Sequence, residues 1–172
     1  MNRRTLAGLV VAIGVAWGVQ ARAADWETDY VKASASASKS GQYMLLDFSG
    51  SDWCGWCIKL DAEVFSKAAF RKYAKESLVC ILVDFPRKKA QNKKLKEQNA
   101  ALAKKYEVRG YPTVVLLSPE GELVGTTGYQ EGGPKKFVDS LKEMIAAYET
   151  QHPKSEAAKK PSVGKAEAAA SK

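Results

Sequence analysis

Cysteine is scarce in this 172-residue chain, which carries only Cys54, Cys57 and Cys80. Three thiols are too few for a scaffold stapled by several disulfides, and their spacing suggests one close working pair and one isolated thiol. Histidine is scarcer. His152 stands alone near the C-terminus and reads as a surface residue, so a usual zinc site lacks its further Cys or His ligands. The one long apolar run, from Leu6 to Val19, is too short for a comfortable transmembrane helix. Large apolar side chains vanish after Pro153, where five Lys and two Glu sit among Ala and Ser. Such a segment cannot bury enough surface to offset its ordering entropy, so 151–172 is expected to be a disordered Lys/Ala-rich tail.

What is present begins with Arg3 and Arg4 ahead of the apolar run, and Ala21-Arg22-Ala23 behind it. This is the pattern of an export signal over 1–23, with retention as a membrane anchor as the alternative. Export places the protein in the periplasm or an equivalent oxidising compartment, where disulfides persist. Loss of the three leader arginines lowers the formal charge from +8 to +5. The remaining basic residues are not interleaved with aromatics as a nucleic-acid surface would require, and no nucleic-acid partner is expected.

The rest reads as a helix-biased lead-in over 24–41 and one domain over 42–150, expected to act as a monomer. Tyr43 to Phe48 is an interior strand, and a loop from Ser49 to Trp53 leads into a helix through Ile58, Leu60 and Val64. A second helix is expected over Ser66–Lys75, capped by Ser66. A strand from Val79 to Phe85 precedes a basic segment, Arg87 to Lys96. Helical periodicity over Ala100–Val108 then ends at Gly110. Thr113–Leu117 and Leu123–Thr127 form a hairpin about Pro119-Glu120-Gly121-Glu122, and Phe137 to Tyr148 marks a closing amphipathic helix with Pro134 near its start. Two strand–helix–strand units, a hairpin and a last helix make an α/β fold, a central mixed sheet with helices on both faces.

Trp53-Cys54-Gly55-Trp56-Cys57 carries the chemistry. Two thiols three residues apart can share a disulfide if Cys54 opens a helix and Cys57 lies one turn on. Free amides at a helix start stabilise a thiolate at Cys54, which makes it the nucleophile and the shielded Cys57 the resolving thiol. Gly55 permits close approach of a partner backbone, and Trp53 and Trp56 offer aromatic contact surface. A static structural disulfide and a two-coordinate Cu(I) site are the alternatives. Asp47 either faces the space beneath Cys57, where burial would raise its pKa and let it relay a proton, or faces solvent and does nothing catalytic. Asp52 reads as a loop or capping residue whose charge would oppose thiolate formation, with Lys59 as an offset. Cys80, within Leu78–Val83, reads as a core residue. Tyr111-Pro112 joins helix to strand, and its isomer is open. A cis bond would present Tyr111 as a docking edge for an extended substrate.

Together, Met44–Phe48, Trp53–Cys57, Val83-Asp84, Tyr111-Pro112-Thr113, the hairpin turn and the closing helix resemble the thioredoxin family over Tyr43 to Tyr148. The resemblance implies that Cys54 attacks a disulfide, Cys57 resolves it, Asp47 is the buried acid and Pro112 a cis-proline beside them, without metal or organic cofactor. It implies thiol–disulfide exchange with protein disulfides or dithiols. The direction would be that of a reductase or isomerase fed by a membrane-bound electron donor. A disulfide-forming oxidase and a non-enzymatic docking or Cu(I)-binding module are the alternatives. Family members commonly have Gly-Pro where this chain has Gly55-Trp56. The loop from Asp47 to Cys54 is one residue longer than usual, which would carry Asp47 away from the cysteines.

Overall fold

In Tyr43–Ser49 five of the seven positions are aliphatic or aromatic, and six of the seven residues are buried. That pattern belongs to a strand covered on both faces. The computed structural model, which describes residues 26–153, makes this strand, β1, one of the two interior strands of the sheet. It pairs in parallel with β2 (Leu78–Asp84) and antiparallel with β3 (Thr113–Leu117), and β3 pairs antiparallel with β4 (Leu123–Thr127). The strand order is β2-β1-β3-β4. The helices are α1 (Tyr30–Ser40), α2 (Gly55–Leu60), α3 (Ala68–Ser77), α4 (Lys93–Lys105) and α5 (Gly133–Gln151), and a π-helical turn over Asp61–Phe65 extends α2. The expected leader and nearly all of the expected tail lie outside the described residues.

Strand alternation sends β1 side chains into two cores. Leu45 packs with Leu60, Phe65, Phe70, Phe137 and Leu141, which come from α2, the π-turn, α3 and α5. Met44, Leu46 and Phe48 pack on the opposite face with Ala33 and Ala37 of α1 and Leu102 of α4. Asp47 shares the face of Leu45, on which α2 is laid. The mixed sheet with helices on both faces is thus built as the sequence implies.

Local chemistry explains the element ends. Asp29 Oδ1 accepts from the backbone amides of Val31 and Lys32 to start α1, and Gly41 ends it at φ +69°. Just before α1, Glu27 bridges the outer edge of β2. Its amide donates to the Cys80 carbonyl at 2.9 Å, and its carbonyl accepts from Leu82 at 2.8 Å. These bonds cover part of an otherwise open edge.

Three helix boundaries differ from expectation. Ser66 does not cap α3: its hydroxyl donates back to the Ala62 carbonyl, closing the π-turn, and Lys67 is the cap residue. α4 begins at Lys93 inside the basic segment, because Asn92 Oδ1 accepts from the Leu95 amide and lysine is a good helix former. Gly110 does not end α4. The helix stops at Lys105, and Glu107 takes the left-handed turn at φ +51°.

Candidate active site

The end of β1 and the start of α2 fix the two thiols. Cys54 is the N-cap of α2, its Sγ accepting from the Cys57 amide at 3.2 Å, and the two residues are joined by a disulfide with Cα atoms 5.3 Å apart. Both are buried, Cys54 7% and Cys57 4% exposed, with Cys57 the deeper. Between them Gly55 is open, with nothing within 4 Å of where a Cβ would sit, and the Trp56 side chain is 57% exposed.

The loop that presents Cys54 is held from three directions. The amides of Trp53 and Cys54 both donate to the Gly50 carbonyl. Ser51 donates its amide and hydroxyl to the two carboxylate oxygens of Asp84, at 2.9 and 2.6 Å. Asp52 accepts from the backbone amides of Arg87, Lys88 and Lys89 at 2.8 to 3.0 Å, and these bonds hold its carboxyl below the usual carboxylate range. Asp52 is therefore a capping residue of the neighbouring loop. Trp53 donates from its indole nitrogen to the Phe85 carbonyl at 2.8 Å, and the Arg87 guanidinium lies 3.7 Å from its ring centre. Gly50 is required here, because a Cβ would meet Trp53 Cε2 at 2.5 Å.

Asp47 and Cys57 line one cavity of about 340 Å³, together with Trp26, Ser49, Ser51, Ile58 and Asp61 among others. The longer loop does not carry Asp47 away. The strand register keeps Asp47 opposite Leu82 and Val114, before the turn that follows β1. Asp47 is buried, and its Oδ1 finds no hydrogen-bond partner among the described residues. Burial first, then the charges of Asp61 and Asp84, push its carboxyl up to about 7. Cys80 is a free, buried thiol pushed up to about 12 by burial and then by Asp47, which fits a core residue rather than a reactive one.

The Tyr111-Pro112 bond is cis. Thr113 pairs with Phe48, so this dipeptide lies at the same end of the sheet as the cysteine loop. The Tyr111 ring contacts Trp53 and Phe85, at centroid separations of 5.8 and 5.3 Å. On the other flank Trp56 packs against Tyr129 at 5.2 Å, and Lys59 reaches over both rings. Lys59 also lies 4.0 Å from Glu63, which accepts from the Tyr129 hydroxyl. Sequence reasoning missed Tyr129, Trp26 and Asp61. They lie far from the cysteine motif in sequence or without a pattern of their own, and only the fold brings them to it.

The sequence and the fold both match known proteins. The family model for a thioredoxin-like domain matches residues 30–145. A disulfide bond reductase DsbH of Chlamydia pneumoniae is 32% identical over 120 residues, covering 70% of this chain and 72% of that protein. A solved DsbH oxidoreductase superimposes with a TM-score of 0.70 at 29% identity, over 83% of this chain and 95% of the other. A thiol:disulfide interchange protein DsbD of Pasteurella multocida is 29% identical over 120 residues, 68% of this chain but 19% of its own length. The chain belongs to the thioredoxin-like family and carries the redox-active disulfide of a thiol–disulfide oxidoreductase.

Proposed function

We propose that the protein reduces or isomerises disulfides of other proteins in an exported compartment, with Cys54 as nucleophile, Cys57 as resolving thiol and Asp47 as proton acceptor. The observation that carries this reading is the shared cavity of the Asp47 carboxyl and Cys57. In the dithiol form, the Cys54 thiolate attacks one sulfur of a substrate disulfide. A mixed disulfide forms and the substrate's other sulfur leaves as a thiolate, which takes up a proton. Asp47 then accepts the Cys57 proton, and the Cys57 thiolate attacks Cys54 Sγ. The Cys54–Cys57 disulfide forms, the second substrate thiolate leaves, and two electrons have passed to the substrate. A carboxyl pushed up to about 7 is matched to proton transfer near neutral pH.

Trp53, Gly55, Trp56, Tyr111 and Pro112 form the docking surface in this reading. The open space at Gly55 and the exposed Trp56 ring support it. Reduction in an oxidising compartment consumes the dithiol, so the cycle needs an electron donor linked to the membrane. Similarity to a disulfide bond reductase supports the reductive direction. Among the described residues no helix is long and apolar enough to cross a membrane.

The test is a reduced Cys57→Ser variant mixed with a disulfide-bonded protein substrate. The expected product is a stable mixed disulfide through Cys54, identified by mass, and Cys54→Ala should neither trap nor turn over substrate. Trapping through Cys57 in a Cys54→Ser variant, with none in Cys57→Ser, would reverse the assigned roles. Substrate binding without turnover by the intact chain would favour a docking module.

A further inference from the structure

Between positions 87 and 96 six of ten residues are Lys or Arg and none is acidic. All six are exposed, and among the described residues only Lys93 has an ion-pair partner, Glu97 at 3.8 Å. Such a run is ordinarily a solvated face. Here the loop part of it is ordered against the cysteine loop. Asp52, two residues before Cys54, takes the amides of Arg87, Lys88 and Lys89, which engages its carboxylate with the loop backbone and leaves the three cationic side chains exposed. Arg87 lies on the Trp53 ring, and Gln91 and Asn99 tie the far side of the loop to the Asp84 carbonyl. The Tyr111 ring touches Trp53 and Phe85, so the Tyr111-Pro112 edge and the basic loop are neighbours.

We propose that the Arg87–Lys89 loop, with the first turn of α4, is a docking surface for acidic polypeptide segments beside the exchanging disulfide. The proposal rests on the exchange reading above and adds a substrate class to it. A polypeptide lying along Tyr111 and reaching Cys54 passes this loop, and unpaired cations there attract acidic residues near its disulfide and repel basic ones. Because the loop backbone is already fixed, binding orders only side chains. An anionic lipid surface would meet the same charges but has no disulfide to present.

The full chain, reduced, is mixed with three disulfides in single-turnover stopped-flow: a disulfide peptide flanked by glutamates, its lysine-flanked match, and a small neutral disulfide. At about 20 mM salt the acidic peptide should react at least about tenfold faster than the basic one, and the ratio should approach one near 0.5 M salt. The double variant Lys88→Glu with Lys89→Glu should lower the ratio at least about tenfold while leaving the neutral disulfide within about twofold. A ratio near one at low salt, or one that ignores the double variant, overturns the proposal while turnover of the neutral disulfide leaves the exchange reading standing. Failure to reduce any of the three overturns both. Binding to phosphatidylglycerol vesicles without a peptide preference would assign the patch to a membrane and also overturn the proposal.

Discussion

Replacing Asp47 by Asn should make the oxidised protein more stable at pH 8, although it alters a buried residue that shares a cavity with Cys57. The wild-type carboxyl is pushed from an ordinary 3.8 up to about 7 by burial, then Asp61, then Asp84. The folded state therefore holds a proton that the unfolded chain releases near pH 4. Relative to its high-pH limit, the fold is favoured in full below pH 3.8, and that advantage is lost as pH rises to about 7. Raising a carboxyl from 3.8 to about 7 corresponds to about 4 kcal/mol, at about 1.4 kcal/mol for each tenfold change in proton affinity. Asn carries no such charge, so the variant should exceed wild type by up to about 4 kcal/mol at pH 8, with the difference shrinking towards pH 4. Urea unfolding of both oxidised proteins across pH 4 to 8 measures this directly. Stability curves that run parallel would refute the buried, elevated carboxyl, whatever the activity of the variant. The same substitution should slow resolution of the mixed disulfide near neutral pH.

Gly50→Ala should cost about 1 to 3 kcal/mol in urea unfolding, because the new Cβ would meet Trp53 Cε2 at 2.5 Å and displace a ring held by Phe85. Phe137→Ala should cost about 3 to 5 kcal/mol, since the ring is fully buried against Phe65 and Phe70. Asp52→Ala should speed hydrogen exchange at the amides of Arg87, Lys88 and Lys89, which lose their shared acceptor. Native oxidised protein should resist thiol alkylation at pH 8 and take up one label once unfolded, because Cys80 is the free thiol and is buried.

The parts of this fold legible in the sequence are those where local pattern and tertiary demand agree. Thr113–Leu117 and Leu123–Thr127 fall where the strand and turn signals put them, and Pro134 opens α5 as expected. The boundaries of α3 and α4 were not legible, because they depend on a π-turn that takes the Ser66 hydroxyl and on an Asn92 cap hidden in a basic run. The cysteine pair announced itself. Its surroundings did not: the side on which Asp47 lies follows from strand register, and the Tyr129 and Trp26 contacts follow from chain segments brought together by the sheet. The bonding of Asp52 to the neighbouring loop has no local signature, since its three donors lie 35 to 37 residues away.

In the proposed cycle electrons leave this dithiol for substrate disulfides, and the reduction potential of the Cys54–Cys57 pair decides whether they can. Equilibration of the protein with defined thiol buffers, read by mass or tryptophan fluorescence, gives the value. A reducing protein should have a potential near that of thioredoxin, about −270 mV, where the disulfide is the stable form and the dithiol a ready donor. A value near about −120 mV, that of the strongly oxidising disulfide-forming enzymes, would make the protein an electron acceptor and reverse the proposed direction.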